Sequence, residues 1–321
     1  MKTKKILPLL ATLIIGTSAA LSGCGGNTKI IFKNNWLKDP LNPQASLSET
    51  LSYDVTFEKN AGMNTISYAF DYQNGKFVST LTQRSDGQFE YTTKLTIDVV
   101  YTLGGESQTK QDEVTTYVHF ENANNGLKPI KSSKTILSHT PRNITGEVVK
   151  IDTCYEKAHY SMETNYADGK GVCVLQNLII PQGADKVSEP EIYNFEMGEK
   201  VSYLDNEQLL IGLRAFDTST SSGKISAYSP FVHAKQTVSV SFNSDKASTE
   251  LTVSENGQES VKKPYTYRTA TMKLNQGNSG AEQTAWVALG NRNMILRLET
   301  PLPFMFGSLI YTLKTIDRIE N

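Results

Sequence analysis

From Leu51 onward, apolar and polar residues alternate with a period of two. In "LSYDVTFE" the side chains of Leu51, Tyr53, Val55 and Phe57 fall on one side of an extended chain, with Ser52, Asp54, Thr56 and Glu58 on the other. This is the pattern of a strand with one wet face. The stretch "TISYAFDYQNGKFVSTLTQ" predicts a hairpin with a two-residue turn at Asn74-Gly75, which would set Tyr72 across from Phe77 and Tyr68 across from Leu81. The next connection, Ser85-Asp86-Gly87, predicts a three-residue loop with Gly87 in the left-handed position. Only that register sets Leu81 against Tyr91 and Phe77 against Leu95; a loop one residue shorter would mix the two faces. The following strand carries Phe89, Tyr91, Leu95, Ile97, Val99 and Tyr101 on one side and Glu90, Lys94 and Asp98 on the other.

Further predicted strands are "EVTTYVHF", "EVVKIDTCY", "QTVSVSF", "TELTVSE", "YRTATMKL", "TAWVAL", "MILRLET" and "SLIYTLKTI". Strands at this density, joined by short turns, make a mainly β fold built as an antiparallel meander. One segment changes period. In "LDNEQLLIGLRAF", Leu209, Leu210 and Leu213 recur at helical spacing, and Asp205 with Gln208 forms a capping-box start. It predicts one short helix near 205–216, placed to plug or cover a sheet edge or barrel mouth rather than to link domains, because its apolar side chains need burial.

The N-terminus follows a different pattern. Lys2, Lys4 and Lys5 precede the apolar run Ile6 to Ala20, which has the length of an export signal and falls short of the roughly 20 apolar residues of a membrane span. Leu21-Ser22-Gly23-Cys24 then resembles the lipobox of bacterial lipoproteins. The resemblance implies a diacylglyceryl group on the Cys24 sulfur, palmitate-like acyl chains and cleavage before Cys24; the alternative is an ordinary secretory signal that leaves a free thiol. Two or more acyl chains hold a protein on a bilayer where one would not. Residues 1–23 thus read as a lipoprotein signal peptide, and 24–48, with paired glycines and two prolines, as a tether. Residues 49–321 read as one β-rich domain in two halves, about 49–200 and 201–321.

Composition limits the partners. Of 32 Lys and Arg, three lie in the signal, leaving 29 against 33 Asp and Glu. This balance carries no electrostatic footprint for nucleic acid, and membrane contact is expected through the lipid on Cys24. Export also permits disulfides. Cys154 and Cys173 flank a hairpin-like stretch in which they could stand opposite one another, bonded to each other or as two inert buried thiols.

A second resemblance involves the order "LSYDVTFE", "GLKPIKSSKT", "IGLRAF" and "TAWVALGNRNMILRLETPLPFMFGSLIYTL". This is similar to a family of exported bacterial β-rich proteins catalogued as a domain of unknown function, whose members open on a Tyr-Asp-Val strand and close on Trp-Val, Leu/Arg-x-Glu and Gly-Ser-Leu strands. The stretch around Gly146 to Pro190, which holds Cys154 and Cys173, departs from that pattern. The family implies a strongly curved antiparallel sheet or incomplete barrel, comparable in outline to periplasmic lipoprotein carriers, and supplies no catalytic residues.

The residues themselves carry no recognisable reaction chemistry. The four histidines, His119, His139, His159 and His233, form no HExxH or closely spaced metal-ligand pair, and there is no Gly-x-Ser-x-Gly elbow. Ser221 to Lys224 and Ser260 to Lys263 match Ser-x-x-Lys without its companion motifs. Asp71 and Asp98 fall on polar strand faces, unlike the opposed carboxylates of a glycosidase. We therefore expect no enzyme, metal or cofactor.

In "ETPLPFMFGSL" a proline-containing connection holds Leu302, Phe304, Met305 and Phe306. These either close the core over the sheet end or form the lip of an apolar ligand pocket. The expected function is that of a lipid-anchored protein of the cell envelope, outside the cytoplasm, that is non-catalytic and binds an apolar or amphipathic ligand in its curved sheet. The alternative is a structural lipoprotein that binds an envelope protein or glycan through its sheet surface. Replacing Cys24 by Ser is expected to move the protein from the membrane to the soluble fraction; unchanged membrane fractionation would refute the anchor.

Overall fold

A computed structural model describes residues 47–60, 68–123, 126–142, 150–198, 203–216, 222–229, 234–274, 282–302 and 306–320. Cys24, the signal, residues 24–46 of the tether, His233, Phe304 and Met305 lie outside the described residues. The N-terminal half is a meander of long strands: β1 (Leu47–Lys59), β2 (Ala69–Gln83), β3 (Phe89–Leu103), β4 (Glu106–Ala123), β5 (Gly126–Pro141), β6 (Tyr155–Ala167), β7 (Lys170–Asn177) and β8 (Glu191–Glu196). The C-terminal half contains β9 (Tyr203–Asp205), helix α1 (Leu209–Ala215), β10 (Ser222–Ser229), β11 (Ala234–Phe242), β12 (Ala247–Glu255), β13 (Val261–Leu274), β14 (Glu282–Ala288), β15 (Ile295–Pro301) and β16 (Gly307–Glu320).

The first strand pairs antiparallel with the last, so both halves share one sheet in the order β8-β7-β6-β5-β4-β3-β2-β1-β16-β15-β14-β13-β11-β10-β9. β12 pairs with β13 and, through Ser254 and Glu255, with β16. The ring β12-β13-β14-β15-β16 is thereby a closed five-stranded barrel, and the remaining strands extend from it as a curved sheet. Strands as long as the 18-residue β4 accumulate right-handed twist, so a sheet this wide curls instead of lying flat. Its inner face carries the core: Leu51, Tyr53 and Val55 of β1, Phe77 and Leu81 of β2, and Phe89, Tyr91, Leu95, Ile97, Val99 and Tyr101 of β3 are all buried. The loop at Ser85-Asp86-Gly87 has the expected form, with Gly87 at φ 81° and Leu81 and Phe77 opposite Tyr91 and Leu95.

Three expectations are corrected. Asn74-Gly75 is not a turn, because β2 runs through it and the register shifts between Gln73 and Lys76. Both Tyr72 and Phe77 belong to the inner face, and one extra residue restores their phase. The result is a β-bulge, with Asn74 at φ 54°. Gly75 faces β1 so closely that a Cβ there would lie 2.5 Å from the Val55 carbonyl oxygen. The stretch "EVVKIDTCY" is not a strand over its described part, since Ile151–Thr153 forms a 3-10 turn and β6 starts only at Tyr155.

The third correction concerns Cys154 and Cys173, which are both free and buried. The β6-β7 hairpin turns at Asp168-Gly169, so Cys173 stands opposite Thr164. Cys154 precedes the far end of β6, roughly 30 Å away at the rise of an extended strand, well beyond bonding reach. Replacing Gly75 by Ala is expected to destabilise the fold by about 2 kcal/mol or more, because backbone rather than a movable side chain occupies the Cβ position. Urea unfolding measures this, and an unchanged midpoint would contradict the bulge geometry.

Candidate functional site

α1 lies on the concave face of the sheet and is apolar all round except for one residue, as befits an interior helix. Leu209, Leu210, Ile211, Leu213 and Ala215 are buried, and so is Arg214. Seven residues are too few for a helix to persist without tertiary support. Its lead-in is the capping box expected from sequence: the Glu207 backbone N–H donates to Asp205 Oδ1 at 2.8 Å, and the Asp205 N–H donates to Gln208 Oε1 at 2.9 Å.

Buried polar groups fasten both ends of this segment to the sheet. At the N-terminal end, Ser132 Oγ of β5 donates to Asp205 Oδ2 at 2.5 Å, and Tyr166 of β6 donates to the same oxygen. Lys134 Nζ of β5 reaches both Glu207 carboxylate oxygens, at 2.9 and 3.0 Å. At the C-terminal end, Arg214 pairs with Glu49 of β1 at 2.6 Å, and Arg318 of β16 reaches the other Glu49 oxygen at 2.9 Å. The Arg214 guanidinium also donates to the Arg292 carbonyl at 3.2 Å, and Asn293 Nδ2 caps the Arg214 carbonyl at 2.8 Å.

Electrostatics differ at the two ends. Burial alone would push Glu49 up, but the Arg214 and Arg318 charges and hydrogen bonds outweigh it and hold the carboxyl below its ordinary range. Asp205 goes the other way. Burial and the nearby Glu207 charge push it up to about 6 against the hydrogen bonds from Ser132, Tyr166 and the Glu207 N–H.

A third buried pair lies further along β4 and β5. His139 Nδ1 is 2.8 Å from Asp112 Oδ1, which also accepts the His139 backbone N–H at 2.8 Å. Burial raises the Asp112 pKa in spite of these contacts.

Among the described residues, two small cavities lie beside α1. One cavity of about 20 Å³ lies between Leu210, Arg214, Tyr53, Tyr91, Ser79 and Tyr311, and another of about 10 Å³ lies beside Leu210, Lys134 and Glu207. Each is of the order needed for a single water, whereas small-molecule pockets span about 300–1,000 Å³. Of the expected lip, Leu302 and Phe306 are core residues, with the Phe306 ring set edge-on against Phe70 at 5.1 Å. Among the described residues no group of three His, Cys, Asp or Glu side chains is placed to hold a metal, and no helix is long and apolar enough to cross a membrane.

The sequence reading assigned no role to Glu49, Asp112, Ser132 or Lys134. A signal was nonetheless present in their phase. Glu49 shares the inward parity of Leu51 and Tyr53, Asp112 that of Val114, and Ser132 and Lys134 that of Ile136, so each is a polar group on an apolar face.

The raised pKa of Asp205 has a definite sign. The folded state holds this proton more tightly than the unfolded chain does, so the contribution is fully present below about 4 and is lost as pH rises through about 6. Asp205→Asn keeps the capping oxygen without the charge. Its stability, measured by urea unfolding, is expected to fall less than that of the parent between pH 4 and 7; parallel profiles would contradict a buried titrating Asp205.

No family model matches the chain, and neither does any curated protein sequence. Among solved structures it is similar to the crystal structure of a β-barrel-like protein of domain of unknown function DUF1849 from Brucella abortus. That likeness has a TM-score of 0.50 at 10% sequence identity, covering 86% of this chain and 99% of the other. At that identity it shows the fold alone: a mainly β, barrel-like sheet with one short helix, as in a β-rich domain of unknown function.

Proposed function

We propose that this protein is a non-catalytic lipoprotein of the cell envelope, anchored through Cys24 outside the cytoplasm. In this reading it holds an apolar or amphipathic ligand on its concave sheet face when α1 is displaced. The observation that carries this reading is the position of α1: a seven-residue apolar helix takes up the space on the inner face of β1 to β5 that a ligand would fill. The two cavities beside α1 among the described residues have room for little more than water, so in this reading a ligand takes its place there when the helix moves. The face beneath it is already apolar and concave, as ligand sites are, and polar contacts at the helix's two ends, not a covalent link, hold it down.

A second reading has its own observation. β8 is the terminal strand of the sheet, and Ile192, 62% exposed, lies directly opposite Val174 with Val172 beside it. An unpaired edge with an apolar strip can receive a strand from an envelope protein.

Native mass spectrometry of the protein purified from its own membrane separates the two. A co-purifying lipid-like mass beyond the Cys24 modification is the expected result. A bare chain bound to a protein partner, lost on introducing Lys at Ile192, would replace the carrier reading with the edge reading.

A further inference from the structure

On the concave face, Glu49, Ser132 and Lys134 are bonded to the ends of the α1 segment. Farther along the same face, Tyr72 Oη of β2, Asp112 Oδ2 of β4, Ser138 Oγ of β5 and Tyr311 Oη of β16 have no hydrogen-bond partner among the described residues. Each of these residues is at most 4% exposed. Register gathers them. Tyr72 stands opposite Val99 and Asp112 opposite Ile97, successive inward positions of β3. The Tyr72 hydroxyl lies within electrostatic reach of both Asp112 and Tyr311. Ser138 precedes His139, whose backbone N–H and Nδ1 meet the other Asp112 oxygen. Unpaired polar atoms are costly and uncommon in protein interiors, so this cluster points to a partner from outside the chain.

The chemistry of these atoms narrows that partner. Tyr72, Ser138 and Tyr311 present hydroxyls, which both donate and accept, and Asp112 presents a carboxyl oxygen. An anion would meet the Asp112 carboxylate with no Lys or Arg bonded to any of the four atoms. A cation would have to shed its water at this depth, against a carboxylate whose other oxygen already serves His139. A neutral hydroxyl suits all four atoms. It donates to an ionised Asp112, accepts from a protonated one, and exchanges hydrogen bonds with the three hydroxyls. Position ties the cluster to the helix, because Tyr311 also lines the cavity of about 20 Å³ beside Leu210. On the other side, the Phe57 ring stands edge-on to Tyr72 at 5.2 Å.

Resting on the carrier reading above, we infer that the ligand is an amphiphile with an uncharged, hydroxyl-bearing head of the glycerol type. Its head hydroxyls bond to Tyr72, Asp112, Ser138 and Tyr311, and its chain extends past Tyr311 into the place of Leu210. The unpaired hydroxyls then serve recognition at a cost to the unliganded fold.

The test uses the mature chain carrying Cys24→Ser, so that the anchor does not draw probes into micelles. Its equilibrium affinities are compared, below the micelle concentrations, for monolauroylglycerol, methyl laurate, laurate and dodecyltrimethylammonium, which share a chain and differ in the head. Monolauroylglycerol is expected to bind about tenfold more tightly than methyl laurate, the scale of one or two net hydrogen bonds, and more tightly than either charged probe.

The double variant Tyr72→Phe with Tyr311→Phe keeps both rings and removes both hydroxyls. It should bind monolauroylglycerol and methyl laurate with affinities within about twofold of each other, because the bonds that told them apart are gone. Its thermal midpoint should equal or exceed that of the parent, since deleting a buried hydroxyl that has no partner relieves a cost. Equal affinity of the parent for the two uncharged probes, tighter binding of a charged probe, a preference that survives in the double variant, or a lowered midpoint of that variant would overturn the hydroxylated head while leaving an apolar carrier standing. Failure of the parent to bind any of the four probes would remove the carrier reading and this inference together.

Discussion

The ion pairs between the α1 segment and the sheet are the contacts on which the seating of the helix depends. A helix of seven residues has almost no stability of its own, and apolar contact by itself is non-directional. Glu207 on Lys134 and Arg214 on Glu49 fix both ends of the helix in position and rotation. Sliding the helix by one residue would separate Glu207 from Lys134 and Arg214 from Glu49 inside the protein.

Buried ion pairs are poor sources of net stability, because desolvating both charges costs as much as, or more than, their attraction returns. A packed interior of Leu and Val in their place would hold the helix at least as well. What the charged contacts add is an arrangement that is definite in position and rotation. Breaking either pair inside the protein pulls apart two desolvated opposite charges. The small cavities along Leu210 accord with one definite seat for the helix.

Much of the fold could be read along the chain. The inward faces of β1 and β3, the Gly87 loop and the capping box at Asp205 all follow from contacts within a few residues, or from a period that the backbone imposes on every strand. The expectations that failed shared one property. Asn74-Gly75 is the residue pair of a tight turn, and only the presence of β1 and β3 on either side of β2 makes a bulge the better solution. The hairpin containing Cys173 was foreseen, but its turn lies at Asp168-Gly169, and that register carries Cys173 away from Cys154. Both cases were decided by partners distant in sequence.

The sequence by itself determined which side chains face inward, because direction alternates with every residue of an extended chain. Once the observed strands are known, the same alternation puts Glu49, Asp112, Ser132 and Lys134 on the apolar face, although parity cannot say what a buried charge will meet. Only the tertiary structure decided that Ser132 and Lys134 meet Asp205 and Glu207, each 73 residues away, and that Arg318 meets Glu49 across 269 residues. The physical reason is that a charge in a low-dielectric interior is governed by its nearest opposite charge. Which charge that is depends on where a curved sheet brings its first and last strands together and where it admits the helix.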